Sequence, residues 1–277
     1  FSNGHFLVQI FTVFLTIKGC LMLIVNALLI RLGKHHLKRD ALKPTLGRPK
    51  LWPSINMAED DRKQIDWSAE IHEHLEIGLN AEQTKKAKEV VFRMGLPAEC
   101  WYVCVHAREG GFYGWKEGPG KQARNTSIAH YIPAIEYITR LGGWVVRLGD
   151  STMRPLPSIK NVIDYPMTEY KSSLLDVHLI KECTFYIGNN TGPWDVANLF
   201  GRPTIMPNMT DFSIGFPWRQ GSLGILKQVY SLKDKKFLSV SEILNISLSD
   251  PDRIMMSDEF QLQENTADEI LCLVKEY

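Results

Sequence analysis

Two stretches of this sequence carry residue types in an order that suits anion chemistry. The first is TFYIGNNTGPWDVANLFGRPTIMP, residues 184 to 207, where Gly-Asn-Asn-Thr-Gly-Pro stands between an apolar, strand-like run and a helix-like segment. A backbone of that composition turns sharply, and Thr191 or Asn190 can cap the helix that follows, so that its first N–H groups point out of the turn. Such a turn is an anion site, although a plain β-to-α connection is built from the same residues. The second stretch, WYVCVHARE at 101–109, closes on His106, Arg108 and Glu109. Period two sets His106 and Arg108 on one side, where an arginine can fork onto phosphate oxygens while the turn offers N–H groups to the same anion.

Those residues need a scaffold that brings strand ends together. WYVCVHA (101–107), GWVVRLG (143–149), NVIDYP (161–166), TFYIG (184–188) and PTIMPN (203–208) are short β-rich runs, separated by helical stretches near 127–141, 172–182 and 193–201. The alternation predicts parallel pairing with right-handed crossovers, hence a doubly wound α/β domain. Ligands of such sheets bind beyond the carboxyl ends of the strands. The residues that leave the strands are therefore the candidates: Arg147 and Asp150 after the second, Asp164 and Tyr165 after the third, Gly188, Asn189, Asn190, Thr191 and Gly192 after the fourth, and Asn208 after the fifth. A loop as long and Gly-rich as GGFYGWKEGPGKQARN (110–125) is expected over the ligand face, with Arg124 and Tyr113 as contact residues; a solvated loop is the alternative. A core histidine and a structural ion pair of Arg108 with Glu109 or Asp176 are the plain readings of the first strand end. Asp176 reads as a helix-face carboxylate or an orienting partner.

The 277 residues suffice for two modest domains or one large one, and 44% hydrophobic and 23% charged residues at net charge +1 are ordinary for a globular enzyme. That balance offers no nucleic-acid footprint. The five cysteines, Cys20, Cys100, Cys104, Cys183 and Cys272, lie mostly in apolar runs without zinc-site spacing, which predicts reduced thiols in a cytoplasmic protein. There is no Walker loop, no GxGxxG after a strand, no HExxH and no Asp-x-Asp pair to ask for a metal. No signal-peptide pattern follows Phe1, and a fragment of a longer chain is expected. Residues 6 to 32 are apolar over a membrane-span length, with Lys18 near the middle and a basic run from Arg31 to Arg39 behind them. Three readings stay open for them: buried elements of a preceding domain, a membrane-associated helix, or a span. The Pro-rich, charged stretch KPTLGRPKLWPSINMAEDDRKQ follows, and a boundary is expected between about 40 and 80. AEQTKKAKEVVFRM (81–94) then carries a helical pattern ended by Gly95-Leu96-Pro97.

Several separated blocks resemble a family of bacterial glycosyltransferases associated with surface-polysaccharide clusters: GLPAECWYVCVHARE, ARNTSIAHYIPAIEYITRLGGWVVRLGD, VIDYP, LLDVHLIKECTFYIGNNTG and FQLQENTADEI, together spanning about residues 70 to 277. Within them, TFYIGNNTGPWDVANLFGRPTI is similar to the donor-binding turn of heptosyltransferases. His106 and Arg108 resemble the His-x-Arg strand end of some fucosyltransferases.

The resemblance implies a GT-B architecture of two Rossmann-like domains facing across a cleft. Residues 76–277 would be the nucleotide-sugar donor-binding domain, and 1–75 an apolar segment and linker, either a remnant of the acceptor domain or membrane-associated. It implies transfer of a sugar from a nucleotide-diphosphate sugar to a hydroxyl of a glycan or lipid-linked acceptor, in the cytoplasm or at the inner membrane face, with no cofactor beyond the donor itself. His106, Arg108 and Glu109 would be catalytic; Arg124, Arg147, Asp150, Gly188 to Gly192 and Asn208 would hold the donor. The general base of such transferases usually comes from the amino-terminal domain, and no carboxylate in residues 1 to 80 matches it. A nucleotide-sugar epimerase of the same fold and a non-catalytic nucleotide-sugar or glycan-binding protein are the rival readings.

Overall fold

The computed structural model describes residues 78–112, 117–210, 217, 221–246 and 251–277. The apolar stretch 6–32, most of the region expected to hold the boundary, and Tyr113 lie outside them. In chain order the elements are α1 (Ala81–Arg93), β1 (Tyr102–His106), α2 (Pro119–Ala123), a 3-10 turn (Ile128–Tyr131), α3 (Ile132–Arg140), β2 (Trp144–Arg147) and β3 (Val162–Asp164). A second 3-10 turn (Tyr165–Met167), α4 (Ser173–Glu182), β4 (Tyr186–Gly188), α5 (Gly192–Leu199), β5 (Thr204–Met209) and β6 (Leu223–Leu226) follow. The chain closes with β7 (Gln228–Ser231), β8 (Lys236–Phe237), α6 (Val240–Asn245), α7 (Pro251–Met255), β9 (Phe260–Gln263) and α8 (Ala267–Glu276).

The expected doubly wound sheet is present. Its six strands run β3-β2-β1-β4-β5-β6, every neighbouring pair parallel. All five residues of β1 are buried, as a strand covered on both faces requires. Alternation divides them: Tyr102 and Cys104 pack with Ala87 of α1, Leu175 and Leu179 of α4, and Trp194 and Ala197 of α5. Val103 and Val105 pack on the other side with Ile135 and Ile138 of α3 and with Ile270, Leu273 and Val274 of α8. The strand order reverses between β1 and β4, so the crevice above that junction is the binding place for a sheet of this winding.

Local chemistry sets the element ends. Gln83 donates its N–H to Asn80 Oδ1 at 2.8 Å and returns its Oε1 to the Asn80 N–H at 3.0 Å, which starts α1. Gly95 ends it at φ +93°, as Gly-Leu-Pro predicts. NVIDYP yields a shorter strand than its composition suggests, because Pro166 has no N–H for the ladder and the chain turns at Tyr165.

The sequence reading did not foresee the second sheet. β7 pairs antiparallel with β8 and β9, and Val229, Ile243 and Ile254 form its small core. Its strands have two to four residues, too few for periodicity to mark them, though Phe-Gln-Leu-Gln in β9 does alternate. Among the described residues, no helix is long and apolar enough to cross a membrane, and Cys100, Cys104, Cys183 and Cys272 are free thiols.

The β1–β4 junction leaves no room for a side chain. Gly188 stands opposite His106, and a Cβ there would fall 2.6 Å from the His106 carbonyl oxygen and 2.6 Å from the Tyr186 hydroxyl. Gly188→Ala is therefore expected to destabilise the domain by about 1–3 kcal/mol through overpacking. Denaturant unfolding measures this, and an unchanged midpoint would refute the close approach.

Candidate functional site

The turn after β4 and the end of the loop after β1 meet above the strand-order reversal. Arg124 Nη1 donates to the Asn190 carbonyl at 3.1 Å, and Asn189 Nδ2 donates back to the Arg124 carbonyl. A cavity of about 430 Å³ opens beside them, lined by Gly118, Gly120, Lys121, Arg124 and Asn190 with Thr210 and Pro251. Two of the lining side chains, Lys121 and Arg124, are cationic. Thr191 and Gly192 begin α5, and among the described residues no protein oxygen accepts their N–H groups. A Cβ on Gly192 would meet nothing within 4 Å, so the helix start is open.

Thr191 sits at the cap position but does not cap. Its Oγ1 lies 3.2 Å from His106 Nδ1 and donates to the Asn189 carbonyl at 3.2 Å, and its side chain is buried rather than turned to the cavity. His106 thus braces the turn from beneath. Burial holds its imidazole down at about 4, and the Arg147 charge adds to the effect, so it is neutral at pH 7.

The other arginines have different duties. Arg108 is buried and faces the Gly-rich loop: its Nη1 donates to the Lys121 carbonyl at 2.6 Å and to Asn125 Oδ1, and its Nη2 pairs with Glu117 at 2.6 Å. The expected fork onto a phosphate is spent on the loop itself, and Arg124 is the arginine that lines the cavity. Arg147 is fully buried and pairs with Asp164 at 2.9 Å, donates to the Arg154 carbonyl at 2.7 Å and has Glu109 at 3.6 Å, an ion contact beyond hydrogen-bond length. Glu109 also accepts the Arg154 N–H at 2.8 Å. Both residues therefore hold the 150–160 loop, and neither reaches the cavity. Asp150 accepts the Thr152 N–H at 2.8 Å and the Thr152 hydroxyl at 2.5 Å, closing a local turn. Asp176 pairs with Lys171 at the start of α4.

Asn208 is also turned inward. At φ +57° and fully buried, it donates its N–H to Asn265 Oδ1 at 2.6 Å and accepts the Asn265 N–H on its own Oδ1 at 2.7 Å. Its Nδ2 donates to Thr126 Oγ1 at 3.0 Å. Glu264 takes the Thr126 hydroxyl at 3.0 Å and the Ser127 N–H at 2.9 Å. This polar knot seats the segment that follows Arg124.

Sequence reasoning missed Lys121, Asn265 and Asp195. Asp195 lies in the first turn of α5, where burial pushes its carboxyl up to about 6 against the pull of Arg124. Pro193-Trp194-Asp195 beside the Gly-Asn-Asn-Thr-Gly turn was the available signal, since an acid in a first turn faces the same N–H groups as an anion. Among the described residues, no cluster of three or more His, Cys, Asp or Glu side chains forms a metal site.

No protein-family model matches the chain, and no curated protein matches it. Solved structures similar to it include a glycosyl transferase of family 9 from Veillonella parvula DSM 2008, 14% identical over 74% of this chain and 54% of that one, with a TM-score of 0.41. The ADP-heptose LPS heptosyltransferase II of E. coli is 14% identical over 72% and 53%, at 0.39. The UDP-GlcNAc 2-epimerase of Methanocaldococcus jannaschii, solved with UDP-GlcNAc and UDP, is 12% identical over 70% and 50%, at 0.32. The chain spans about half the length of these solved chains, and likeness at this level carries no assignment of activity.

The Arg108 contacts predict that Arg108→Ala unfolds the domain more readily, by about 3 kcal/mol, since it strands the part-buried Glu117 carboxylate. Arg108→Ala with a wild-type melt would show that the loop does not depend on the pair. The two shifted groups predict opposing pH slopes. Asp195 titrates at about 6 when folded against 3.8 unfolded, so its stabilising share is full below 3.8 and is lost as pH rises through 6. His106 titrates at about 4 against 6.5, so its share is full above 6.5 and is lost as pH falls through 4. Asp195→Asn is expected to steepen the loss of stability between pH 6 and pH 4. Parallel unfolding curves for mutant and wild type would refute the assignment.

Proposed function

We propose that this chain is the donor-binding part of a GT-B glycosyltransferase, which moves a sugar from a nucleotide-diphosphate sugar to a hydroxyl acceptor in surface-glycan or lipid-linked saccharide synthesis. The observation that carries the reading is the meeting of Arg124 with the Asn189–Asn190 turn beside a cationic cavity, above the strand-order reversal. A diphosphate there would meet the Arg124 fork, the Lys121 ammonium and the open N–H groups of Thr191 and Gly192.

Transfer breaks the bond between the anomeric carbon and the β-phosphate oxygen, and the electron pair leaves with the diphosphate. The acceptor oxygen forms the new bond, and its proton passes to a base. The protein's main contribution on this reading is electrostatic: N–H groups and Arg124 stabilise the charge that develops on the leaving oxygen, and one such donor is worth about 2.7–4 kcal/mol in other enzymes. His106 is a positioning residue, holding Thr191 in place while neutral. Arg108 positions the loop that carries Lys121 and Arg124. The acceptor base is assigned to no residue of the described part. Work on a lipid-linked acceptor would place the protein at the inner membrane face.

Incubation with nucleotide sugars and a saccharide acceptor tests the reaction: transfer yields free nucleotide and an extended acceptor, epimerisation an altered donor, and mere binding neither. The site has its own test. Arg124→Ala is expected to weaken binding of ADP, GDP, UDP or CDP by roughly 10–100-fold, the value of a lost hydrogen bond to a charged group. Gly192→Val should also weaken it by occluding the helix start, without backbone strain because Gly192 has no positive φ. Phosphate-free nucleosides should bind wild type and variants alike. Calorimetry that shows unchanged diphosphate affinity in both variants would remove the site.

A further inference from the structure

The small sheet has one face on its own core and one towards solvent. Val229, Phe260 and Leu262 belong to the core with Ile243 and Ile254. Strand alternation leaves Gln228, Tyr230, Gln261 and Gln263 on the opposite face. The register sets Phe237, Tyr230 and Gln261 in one row across β8, β7 and β9. At ordinary strand spacing that row is about 10 Å from end to end. The Tyr230 and Phe237 rings meet edge to face with centroids 5.1 Å apart, and Phe237 is 48% exposed.

A hollow of about 370 Å³ lies over Tyr230, Phe237, Gln261, Leu262 and Gln263. Among the described residues, the Gln261 and Gln263 amides and the Tyr230 hydroxyl make no side-chain hydrogen bond. The neighbouring charges are engaged: Lys236 donates to Glu242 at 2.6 Å, and Glu269 accepts from Gln228 at 3.2 Å. Among the described residues, no charged side chain lines the hollow.

We propose that this face binds a neutral saccharide, at a site separate from the Arg124 cavity. A pyranose ring has an apolar C–H face and a rim of hydroxyls. An exposed aromatic ring takes the face, while each glutamine amide offers two donors and an acceptor to the rim. An anion finds no counter-charge here. A protein partner fits less well, since a stable interface takes about 800 Å² from each side and this hollow is a single small depression. A peptide added as a strand would use the main-chain edges of β8 or β9, leaving the amide row unused. The proposal does not rest on the transfer reaction. If that reaction holds, the face would retain a growing glycan on the same chain that extends it.

Calorimetric titration of the full chain with maltohexaose, cellohexaose and chitohexaose tests it. At least one is expected to bind, and Phe237→Ala and Gln261→Ala are each expected to weaken it by about tenfold or more. Phe237→Leu should also fail, because it keeps apolar area but loses the flat ring. Gln261 is exposed, so Gln261→Ala should leave the melting temperature in place, and Phe237→Ala should lower it only slightly, through the lost ring contact with Tyr230. Arg124→Ala should leave saccharide affinity intact, and Phe237→Ala should leave nucleoside diphosphate affinity intact, which separates this site from the first. Absence of binding by all three saccharides, or binding that survives both alanine substitutions, would overturn the proposal.

Discussion

Two hydrogen bonds across the β1–β4 junction give the candidate site its shape: Asn189 to the Arg124 carbonyl, and Arg124 to the Asn190 carbonyl. The strands beneath are fixed by the sheet, but the chain leaves them by unequal routes. From β4 it needs only a short turn to enter α5, whereas from β1 it travels through the Gly-rich stretch before it returns. A loop of that length carries a closure cost and needs specific contacts to end in one place. The Thr126 N–H closes its base on the Arg108 carbonyl at 2.7 Å, and the Arg108 guanidinium binds the loop from within.

The same requirement explains why the end of the chain matters to a site that it does not line. Lys227 donates to the Asn125 carbonyl at 2.5 Å, Glu264 takes Thr126 and Ser127, and Asn265 exchanges hydrogen bonds with Asn208. These groups are mostly buried, where an unpaired amide would be costly, so the satisfied set favours one arrangement over its neighbours. Asn208 adopts a left-handed backbone at the end of β5 to take part, a conformation that asparagine tolerates better than most side chains. Helix α8 then anchors Asn265 through Ile270, Leu273 and Val274 in the core.

The large sheet was legible because its signals are local. Apolar runs such as YVCVH and WVVR, each followed by a helical stretch, predict parallel strands whatever lies far away in the chain, and Gly-Asn-Asn-Thr-Gly predicts a turn wherever it stands. The partners of charged side chains were not legible. Glu117 finds Arg108 only because the loop folds back, and Asp164 finds Arg147 only because β2 and β3 are neighbours. The strand-end rule ranked Arg108 above Arg124, since sequence distance from a strand does not tell that the Arg108 guanidinium folds onto Glu117 and the loop while Arg124 lines the cavity. Asn208 illustrates the same limit, as its buried partner Asn265 lies fifty-seven positions away.

Arg108 and Arg147 face carboxylates, whereas Lys121 and Arg124 line the cavity and Asp195, at the start of α5, lies within the field of Arg124. Above pH 6 the ionised Asp195 offsets part of the Arg124 charge; below it the carboxyl is neutral and the cationic character rises. A bound polyanion would act in the same direction as acid, because a negative charge beside a carboxylate favours its protonated form. If the cavity takes the proposed diphosphate, anion binding and proton uptake at Asp195 would be coupled, and linkage makes such a coupling reciprocal. On that reading the partly buried acid in the first turn of α5 would carry its charge when no anion is present and give it up when one binds.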